Sequence, residues 1–315
     1  MGRKVIVIGE LNADLIFSGR RIRPEPNREK LADDFCLALG SSSAITAAGL
    51  AGLGLEVEFV SVVGDDELGR FCLSELRRFG VGVRHVAVDG SSRTGATLSL
   101  TDGSDRSLVT YLGTIAAVTP ERIPADIYDG ASHVHFGSFY LQERMRPHWR
   151  DVFRRAKAAG ATTSFDVGWD PAETWDRERL RDLLAWTDWF LPSEEEALAI
   201  FEAPSLAELA PRLPERRGHV IVKRGAAGAV AFDPAGGVTQ GSPFRVEPVD
   251  TTGAGDSFNA GWIAARLSGR NEAEALTFAN ACGALSTLGI GGAGNLTLDK
   301  LRRFWPGGFR AEPLQ

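Results

Sequence analysis

The sequence has few cysteines and no long apolar run. Three cysteines occur among 315 residues, and Cys36, Cys72 and Cys282 are far apart with no CxxC pair. Neither a disulfide framework nor a zinc site is therefore expected, and reduced thiols are typical of a cytoplasmic chain. No apolar stretch approaches the roughly 18 residues of a transmembrane helix, and the run at 5–8 is too short for a signal peptide. The sequence predicts a cytoplasmic protein without a membrane span.

An excess of positive charge is also missing. Lys and Arg total 35 and Asp and Glu total 41, which gives a formal net charge of −6 at pH 7. Nucleic acids and anionic lipid surfaces are bound through clusters of basic residues, so neither is an expected partner. The sequence also lacks the Walker A motif that marks a P-loop nucleotide site.

Strand patterns and helix patterns alternate along the chain. The β-branched runs at 5–8 and 57–63 are typical of strands that are covered on both faces, and helical patterns follow. This alternation predicts an α/β fold, a mostly parallel central sheet with helices on both faces. Hydrophobic residues make up 43% of the chain, and one domain over 1–315 is expected.

Two segments do not fit this alternation. The segment 15–38 lacks helical periodicity, and the segment 94–113 contains two runs of alternating apolar and polar residues around Asp102-Gly103. Half-buried hairpins do not belong inside a parallel sheet. We predict that both segments form a small β lid over the functional site.

The stretch 250–261, DTTGAGDSFNAG, carries the strongest signal of chemistry. Gly253 and Gly255 let the backbone approach a ligand closely. The helical pattern that follows leaves unpaired N–H groups and the positive end of a helix dipole at this turn, where a phosphate is expected to bind. A second negative charge weakens anion binding, so Asp256 is either an ordinary helix cap or a general base beside a phosphoryl acceptor.

The same stretch closely resembles the C-terminal signature of the ribokinase-like (PfkB) family of carbohydrate and nucleoside kinases. The resemblance extends over residues 9–294 and includes GDDxxG at 64–69. It implies a ribokinase-like fold, with ATP and Mg²⁺ as cofactors. It also implies that Asp256 removes the proton of the acceptor hydroxyl, and that the transferring phosphoryl binds in an anion hole made by the N–H groups of Gly253, Ala254, Gly255 and Asp256.

The resemblance also suggests an acceptor site. Asn12 and Asp14 follow the first strand, project to the same side and match the family's NxD pair, which binds substrate hydroxyls. The turn at Gly40, Ser41 and Ser42 leads into a small-residue helix and resembles the family's N-terminal signature. Its N–H groups are therefore also expected to face a ligand.

Several positions depart from the family's motifs. Ser41 replaces the usual second glycine, and Ile45 replaces a substrate-binding Asn, which argues against plain ribose as acceptor. Gly168 and Asp170 replace the Asn and Arg of a DxNxR motif, so a basic partner for keto-acid sugars is absent there. Arg106 lies on the predicted lid and points either to the ligand or to solvent.

The nucleotide side is predicted from three further motifs. PSEEEA at 192–197 resembles the family's NxxE motif, with Ser193 in the Asn position and Glu196 holding Mg²⁺ through water. Three glutamates at a helix start are also what the helix dipole alone favours. Lys223, Gly225 and Gly228 match TxGxxG with Lys in place of Thr, and the lysine either pairs with a phosphate or stays solvated.

Other cofactor contacts are implied by the family pattern. Gly255 faces the nucleotide, and Asn280 lies in a region that the family places near adenine. Asp250 and Thr252, together with the Gly-rich turn 289–294, enclose a monovalent cation such as K⁺ in relatives. The literal GxGxxG of that turn follows a helix rather than a first strand, so it does not indicate a dinucleotide site.

These features predict an ATP-dependent kinase that transfers the γ-phosphoryl group to a primary hydroxyl of a small carbohydrate. A nucleoside kinase is one alternative, with Phe17, Phe139 and Trp169 as aromatic walls. A sugar-phosphate kinase is another, for which the lid arginines would supply the cations. The third is a ligand-binding regulator without catalysis. Relatives often dimerise through the lid, so a homodimer is a further expectation.

Overall fold

A computed structural model describes residues 3–102 and 105–308 of the chain. The strands in this part are β1 (Lys4–Ile8), β2 (Asn12–Ser18), β3 (Asp34–Leu39), β4 (Glu56–Gly64), β5 (Gly82–Asp89), β6 (Gly95–Asp102), β7 (Asp105–Tyr111), β8 (Ala131–Phe136), β9 (Thr162–Phe165), β10 (Trp189–Phe190), β11 (His219–Lys223), β12 (Ala229–Phe232) and β13 (Val238–Gly241). The α-helices are α1 (Ser42–Gly52), α2 (Glu67–Arg78), α3 (Trp149–Ala158), α4 (Arg177–Leu184), α5 (Glu194–Phe201), α6 (Ala254–Leu267), α7 (Glu272–Ser286) and α8 (Leu298–Phe304). No helix in these ranges is long and apolar enough to cross a membrane.

The larger sheet has nine strands in the order β13-β12-β11-β10-β9-β8-β1-β4-β5. Its strands are parallel from β11 to β5, and β12 and β13 join antiparallel at one edge. The predicted α/β fold with a mostly parallel sheet is confirmed. Because the parallel strands share a direction, the residues that follow β1, β8, β9, β10 and β11 meet at the same edge of the sheet.

Two hydrophobic cores lie on opposite faces of this sheet. Alternate side chains of β1 enter different cores, because successive residues of a strand point to opposite faces. Val5 and Val7 pack in the core under α1, α6 and α7. Ile6 and Ile8 pack in the core that includes α3, α4 and α5. All four side chains are fully buried, which explains the continuous apolar run in the sequence.

The smaller sheet has four strands in the order β3-β2-β6-β7. Its strands include parts of the two segments that were predicted to form a lid, and only three residues separate the end of β1 from the start of β2. Alternation along β2 places Asn12 and Asp14 on one face, and Leu15 and Phe17 on the other. The first face carries Asn12 and Asp14 beside Gly40, just before the start of α1.

The helix α6 begins at a tight turn and packs closely on α7. Gly253 is its N-cap with φ of 71°, a left-handed conformation that favours glycine. A Cβ at Gly261 would lie 2.8 Å from Sγ of Cys282 on α7. The close approach of α6 and α7 thus depends on glycine at position 261.

Candidate active site

Asp256 lies in the first turn of α6, as the sequence predicts. Its side chain is half-buried, and its Oδ1 accepts a hydrogen bond of 2.6 Å from Oγ of Ser42. Burial and the negative charge of Asp166 raise the pKa of Asp256 to about 7. The hydrogen bond from Ser42 and the charge of Lys223 act in the opposite direction. A carboxyl group with a pKa near neutral is well suited to accept a proton.

Asn12 and Asp14 form a hydrogen-bonded pair at the base of the small sheet. Nδ2 of Asn12 lies 3.0 Å from Oδ1 of Asp14 and 3.3 Å from Oγ1 of Thr97. A Cβ at Gly40 would overlap the Asp14 carboxylate and lie 2.6 Å from the Asn12 amide nitrogen. Glycine at position 40 therefore leaves the space that this pair occupies.

Ser41 has a backbone conformation that favours glycine. Its φ is 74°, in the left-handed region where a side chain adds strain. Its hydroxyl caps α1, because Oγ accepts from the backbone N–H of Ala44 at 3.0 Å and donates to the carbonyl of Glu10 at 2.6 Å. The Ser41 hydroxyl thus forms hydrogen bonds within the protein, and its contact with a substrate stays a prediction.

A buried carboxylate occupies part of the N-terminus of α1. Glu10 is 1% exposed, and its Oε1 accepts from the backbone N–H of Ser43 at 3.2 Å. Its Oε2 accepts from Oγ of Ser43 at 2.7 Å and from Nε2 of Gln142 at 3.3 Å. The N–H groups of Ser43 and Ala44 were predicted to face a ligand, and for these two groups the prediction is wrong. Glu10 and the Ser41 hydroxyl already accept their hydrogen bonds.

Sequence reasoning missed Glu10 and Gln142. The available signal was an acid between Gly9 and Leu11, directly after an apolar strand, where a solvated residue is unexpected. Oγ of Ser43 also accepts from the backbone N–H of Gly137 after β8. This network ties the ends of β1 and β8 to the start of α1, and thereby positions the neighbouring Ser42.

Ile45 packs where a substrate-binding Asn was expected. It is 4% exposed. Its Cγ2 would lie 3.0 Å from a Cβ at Gly253, and its Cδ1 2.6 Å from a Cβ at Gly292. The isoleucine thus fills the space between the turn before α6 and the Gly-rich turn 289–294, and it offers no polar contact to an acceptor.

Ser193 and Glu196 form a capping box at the start of α5. Oε2 of Glu196 accepts from the backbone N–H of Ser193 at 2.8 Å, and Oγ of Ser193 accepts from the backbone N–H of Glu196 at 3.2 Å. Burial and the nearby charge of Asp166 raise the pKa of Glu196. One carboxylate oxygen of Glu196 therefore caps α5, and the other has no hydrogen bond among the described residues.

Lys223 is paired with carboxylate rather than solvated. Its ammonium donates to the carboxylate of Asp166 and, at 3.3 Å, to Oδ1 of Asn259. Asp166 also accepts from Nδ2 of Asn259 at 2.6 Å. The alternative of a solvated lysine is wrong, since its side chain is 13% exposed. Neither Asp166 nor Asn259 was predicted as a site residue, although NAG at 259–261 belongs to the signature motif.

The other residues that were predicted to contact the nucleotide lie in a turn and in α7. Gly225 and Gly228 have φ of 52° and 85°, and a Cβ at Gly228 would overlap the carbonyl of Gly241. Both glycines thus shape the turn between β11 and β12. Asn280 is 8% exposed, and its Nδ2 donates to the carbonyl of Ser242 at 3.1 Å. It links α7 to the end of β13, and its contact with a nucleotide stays a prediction.

Asp250 joins the two loops that were predicted to enclose a cation. Its Oδ1 accepts from the backbone N–H of Thr252 at 2.9 Å, and its Oδ2 accepts from that of Gly291 at 2.9 Å. Nδ2 of Asn295 donates to the carbonyl of Gly291 at 2.8 Å. The structure thus brings the loop 250–252 and the Gly-rich turn together around one carboxylate.

Two of the three aromatic residues that were predicted to line a nucleoside site do not lie at an open site. Phe17 is on the face of β2 opposite Asn12, with its ring 4.9 Å from that of Phe35, so the prediction that it lines the acceptor site is wrong. Phe139 is fully buried in an aromatic core. Trp169 is 50% exposed, and its place in the acceptor site stays a prediction.

Two more predictions concern residues near the acceptor. Asp170 accepts hydrogen bonds from the backbone N–H groups of Ala172, Thr174 and Trp175, so it shapes its own loop. Arg106 has its backbone paired with Thr101 in the small sheet. The side chain of Arg106 lies outside the described part of the structure, and its ligand contact stays a prediction.

Comparison with known proteins gives matches along nearly the whole chain. The family model "pfkB family carbohydrate kinase" matches residues 3–298. The chain is 32% identical over 305 residues to an ATP-dependent ribose-1-phosphate kinase of Halopiger xanaduensis, covering 96% of this chain and 97% of that protein. It is 32% identical over 287 residues to a 2-dehydro-3-deoxygluconokinase of Bacillus subtilis, covering 86% and 87%. A solved Escherichia coli protein assigned as ribokinase II, in complex with ATP and Mg²⁺, superposes with a TM-score of 0.85 at 26% identity, covering 97% and 99%.

Proposed function

Because the chain belongs to the PfkB family of carbohydrate kinases, we propose that it transfers the γ-phosphoryl group of ATP to a primary hydroxyl of a small neutral carbohydrate. One observation carries this proposal. The carboxylate of Asp256 lies in the first turn of α6, beside the backbone N–H groups of residues 253–256, and its pKa is raised to about 7. The proposed base and the proposed anion hole thus share one helix turn at the carboxyl edge of the sheet.

The roles of the other residues follow from this arrangement. Asn12 and Asp14 bind acceptor hydroxyls at the base of the small sheet, and Asp256 takes the proton of the hydroxyl that attacks. The N–H groups of Gly253, Gly255 and Asp256 stabilise the negative charge of the transferring phosphoryl, whereas that of Ala254, which was predicted to join them, already donates to the carbonyl of Thr251 at 3.3 Å. The small sheet acts as a lid that excludes water from the reaction. Since ATP is the donor, we place the protein in the cytoplasm.

The described residues suit a hydrated Mg²⁺ rather than a protein cage for the ion. No group of three or more His, Cys, Asp or Glu side chains within 3–102 and 105–308 could hold a metal by itself. Mg²⁺ commonly keeps several waters and is bound by one or two carboxylates together with substrate phosphates. Glu196 would contribute through its second oxygen. When bound, the ion neutralises charge on the β- and γ-phosphoryl oxygens.

The proposal favours a neutral acceptor. The groups at the base of the small sheet are Asn12, Asp14 and Thr97, which suit hydroxyl groups. Asp170, in the place of an arginine, has its carboxylate saturated by its own loop.

An ADP-release assay with ATP and Mg²⁺ tests the function. We expect turnover with fructose or a related neutral sugar, and none with adenosine or 2-dehydro-3-deoxygluconate. Turnover with adenosine alone would assign a nucleoside kinase. Absence of ADP release with every acceptor would reject the kinase activity.

A sugar phosphate is the second candidate acceptor. The relative from Halopiger xanaduensis is a ribose-1-phosphate kinase. Arg20 and Arg21 are exposed beside the end of β2 and supply cations that a phosphate would need. Ribose 1-phosphate is therefore included in the assay, and its turnover in preference to every neutral sugar would replace the first candidate by this one.

We also propose that two copies associate through the small sheet. Its outer face is apolar and partly or largely exposed, with alternate residues of four paired strands: Leu15, Phe17, Phe35, Leu37, Leu98, Leu100, Val109 and Tyr111. Large contiguous apolar patches usually mark interaction surfaces. A second copy of the same face would cover these side chains.

The variant Val109→Glu should therefore abolish a dimer. Val109 is 66% exposed, and a charge there would have to lose its hydration in the interface. Sedimentation velocity at micromolar concentration should show a dimer for the wild type and a monomer for the variant. Val238→Glu is the matched control, because Val238 is 53% exposed on β13, away from the small sheet. A monomeric wild type, or a dimeric Val109→Glu, would contradict the proposal.

We propose that K⁺ binds between the loop 250–252 and the Gly-rich turn 289–294. The support is Asp250, whose carboxylate joins both loops, and the nearby backbone carbonyls, which are ligands of hard cations. The rate in KCl should exceed the rate in tetramethylammonium chloride at equal ionic strength, and Asp250→Asn should reduce this difference. Equal rates in the two salts would exclude a cation requirement.

A further inference from the structure

Lys223 is the buried cation of the candidate site, at the end of β11. Its side chain is 13% exposed, and that of its partner Asp166 is 8% exposed. Asp166 is itself held by Nδ2 of Asn259 at 2.6 Å and by the backbone N–H of Gly168 at 3.2 Å. A lysine ammonium has three N–H donors. Asp166 and Asn259 take two of them, and the third has no hydrogen bond among the described residues.

Stability alone does not explain this ion pair. Removing two charges from water is costly, and apolar residues of similar volume often replace a buried pair without loss of stability. Burial works against the charge of Lys223, yet the carboxylates of Asp166 and Glu196 outweigh it and raise its pKa. The lysine therefore stays a cation at neutral pH, and its remaining N–H can donate to an anionic oxygen.

The position of the ammonium connects it with the anion hole. A Cβ at Gly255 would lie 3.5 Å from Nζ of Lys223 and 3.8 Å from its Cε. The ammonium thus lies against the first turn of α6, which also carries Asp256. Asn259 follows Asp256 by three residues and lies on the same face of the helix. One helix therefore carries the base, the anion hole and one of the two anchors of the lysine.

We propose that Lys223 donates its third N–H to a non-bridging oxygen of the transferring γ-phosphoryl group, and that Asp166 and Asn259 are the positioning residues that aim it. This inference rests on the proposed kinase function. The acceptor oxygen gives its proton to Asp256 and forms a bond to the γ-phosphorus. The bond from that phosphorus to the β–γ bridging oxygen breaks, and ADP leaves. Lys223 keeps its proton and stabilises charge on the phosphoryl oxygens.

A comparison of two nucleotides tests the contact without turnover. ADP and the non-hydrolysable ATP analogue AMP-PCP differ by the terminal phosphoryl group, so their relative affinity reports contacts to that group. Lys223→Met keeps an unbranched side chain that is one heavy atom shorter and removes the charged ammonium group. By calorimetry with Mg²⁺, the Kd of AMP-PCP should rise about 10- to 100-fold, as expected for a hydrogen bond to a charged group. The Kd of ADP should stay nearly unchanged. Equal weakening of both nucleotides, or no weakening of either, would overturn the assignment.

Two further variants separate a phosphoryl contact from a structural ion pair. Lys223→Met leaves the carboxylate of Asp166 buried without a counter-ion. The double variant Asp166→Asn/Lys223→Met has no such unpaired charge, because the amide is neutral. If the lysine served only to neutralise Asp166, the double variant would recover wild-type affinity for AMP-PCP, and the proposal would fall. We expect the loss to persist. Lys223→Arg keeps the positive charge and should recover part of the affinity for AMP-PCP.

The binding measurement also distinguishes this inference from the proposed function. Absence of turnover by the wild type with every acceptor would reject the kinase activity. The ratio of the two Kd values would still show whether Lys223 contacts the terminal phosphoryl group. Conversely, an active wild type with an unchanged ratio in Lys223→Met would reject the role of Lys223 alone.

Discussion

Asp256→Asn is expected to lower kcat by about 10²- to 10⁴-fold, which corresponds to roughly 3 to 5 kcal/mol of the activation barrier. The amide keeps the size of the side chain and its hydrogen-bonding partner Ser42, but it cannot take the proton of the acceptor. The backbone N–H groups of the anion hole remain, so ATP binding should be largely kept. The measurement is kcat at saturating concentrations of both substrates, together with the Kd of AMP-PCP.

The same substitution at another helix start provides the control. Asp299 lies in the first turn of α8 and its side chain is 77% exposed. Asp299→Asn makes an identical chemical change in a similar helical position and should leave kcat unchanged. An unchanged kcat in Asp256→Asn would remove this carboxylate from the mechanism.

Thermal unfolding separates a catalytic loss from a folding defect. Folding raises the pKa of Asp256 to about 7. An acid whose pKa is raised by folding lowers the stability above its unfolded pKa, and the cost is complete once the pH exceeds the folded value. Asp256→Asn should therefore be at least as stable as the wild type at pH 8. A large loss of Tm at that pH would mean that the carboxylate stabilises the fold.

The dependence of kcat/KM on pH is expected to show an acid limb near pH 7. Only the ionised form of Asp256 accepts a proton, and burial and Asp166 raise its pKa to about 7, with a further contribution of the same sign from Glu10. Lys223 and Ser42 counteract this effect. Below the limb, kcat/KM should fall about tenfold per pH unit, so a profile from pH 5 to 9 spans roughly a hundredfold change. A flat profile over this range would be incompatible with Asp256 as the base.

Ser42→Ala identifies the group that titrates. The Ser42 hydroxyl donates to Oδ1 of Asp256 at 2.6 Å, and a hydrogen bond to a carboxylate favours its charged form. Its removal should raise the pKa of Asp256 and move the acid limb to higher pH. If the limb stays in place while the rate changes, then another group on the enzyme or the substrate titrates there.

Local patterns in the sequence were sufficient to predict the α/β class and the position of Asp256 at the start of a helix. The apolar run of β1 predicts a strand that is buried on both faces, and the structure places its residues in two cores. The turn at 253–256 predicts a helix start with exposed donors, and α6 begins there. Periodicity and glycine placement are visible in a single segment, so their consequences can be worked out without knowledge of the rest of the chain.

The partners of the site residues could not be predicted in the same way. Lys223 and Asp166 are far apart in sequence and meet only because β9 and β11 are both parallel neighbours of β10. Glu10 reaches Ser43 and Gln142 from a third part of the chain. Such contacts depend on strand order, which alternation of patterns leaves open. The N–H groups at the start of α1 were therefore assigned to a ligand. In the structure, the carboxylate of Glu10 already accepts a hydrogen bond from one of them.

The alternation of side chains along β2 has a consequence for how this enzyme can diversify. Asn12 and Asp14 point to one face of the small sheet, and Leu15 and Phe17 point to the other. The proposed hydroxyl recognition and the proposed self-association therefore use alternating positions of a single strand and share no side chain. On these two proposals, substitutions at Leu15 or Phe17 change how two copies meet and leave the acceptor residues intact, whereas substitutions at Asn12 or Asp14 change the acceptor and keep the assembly.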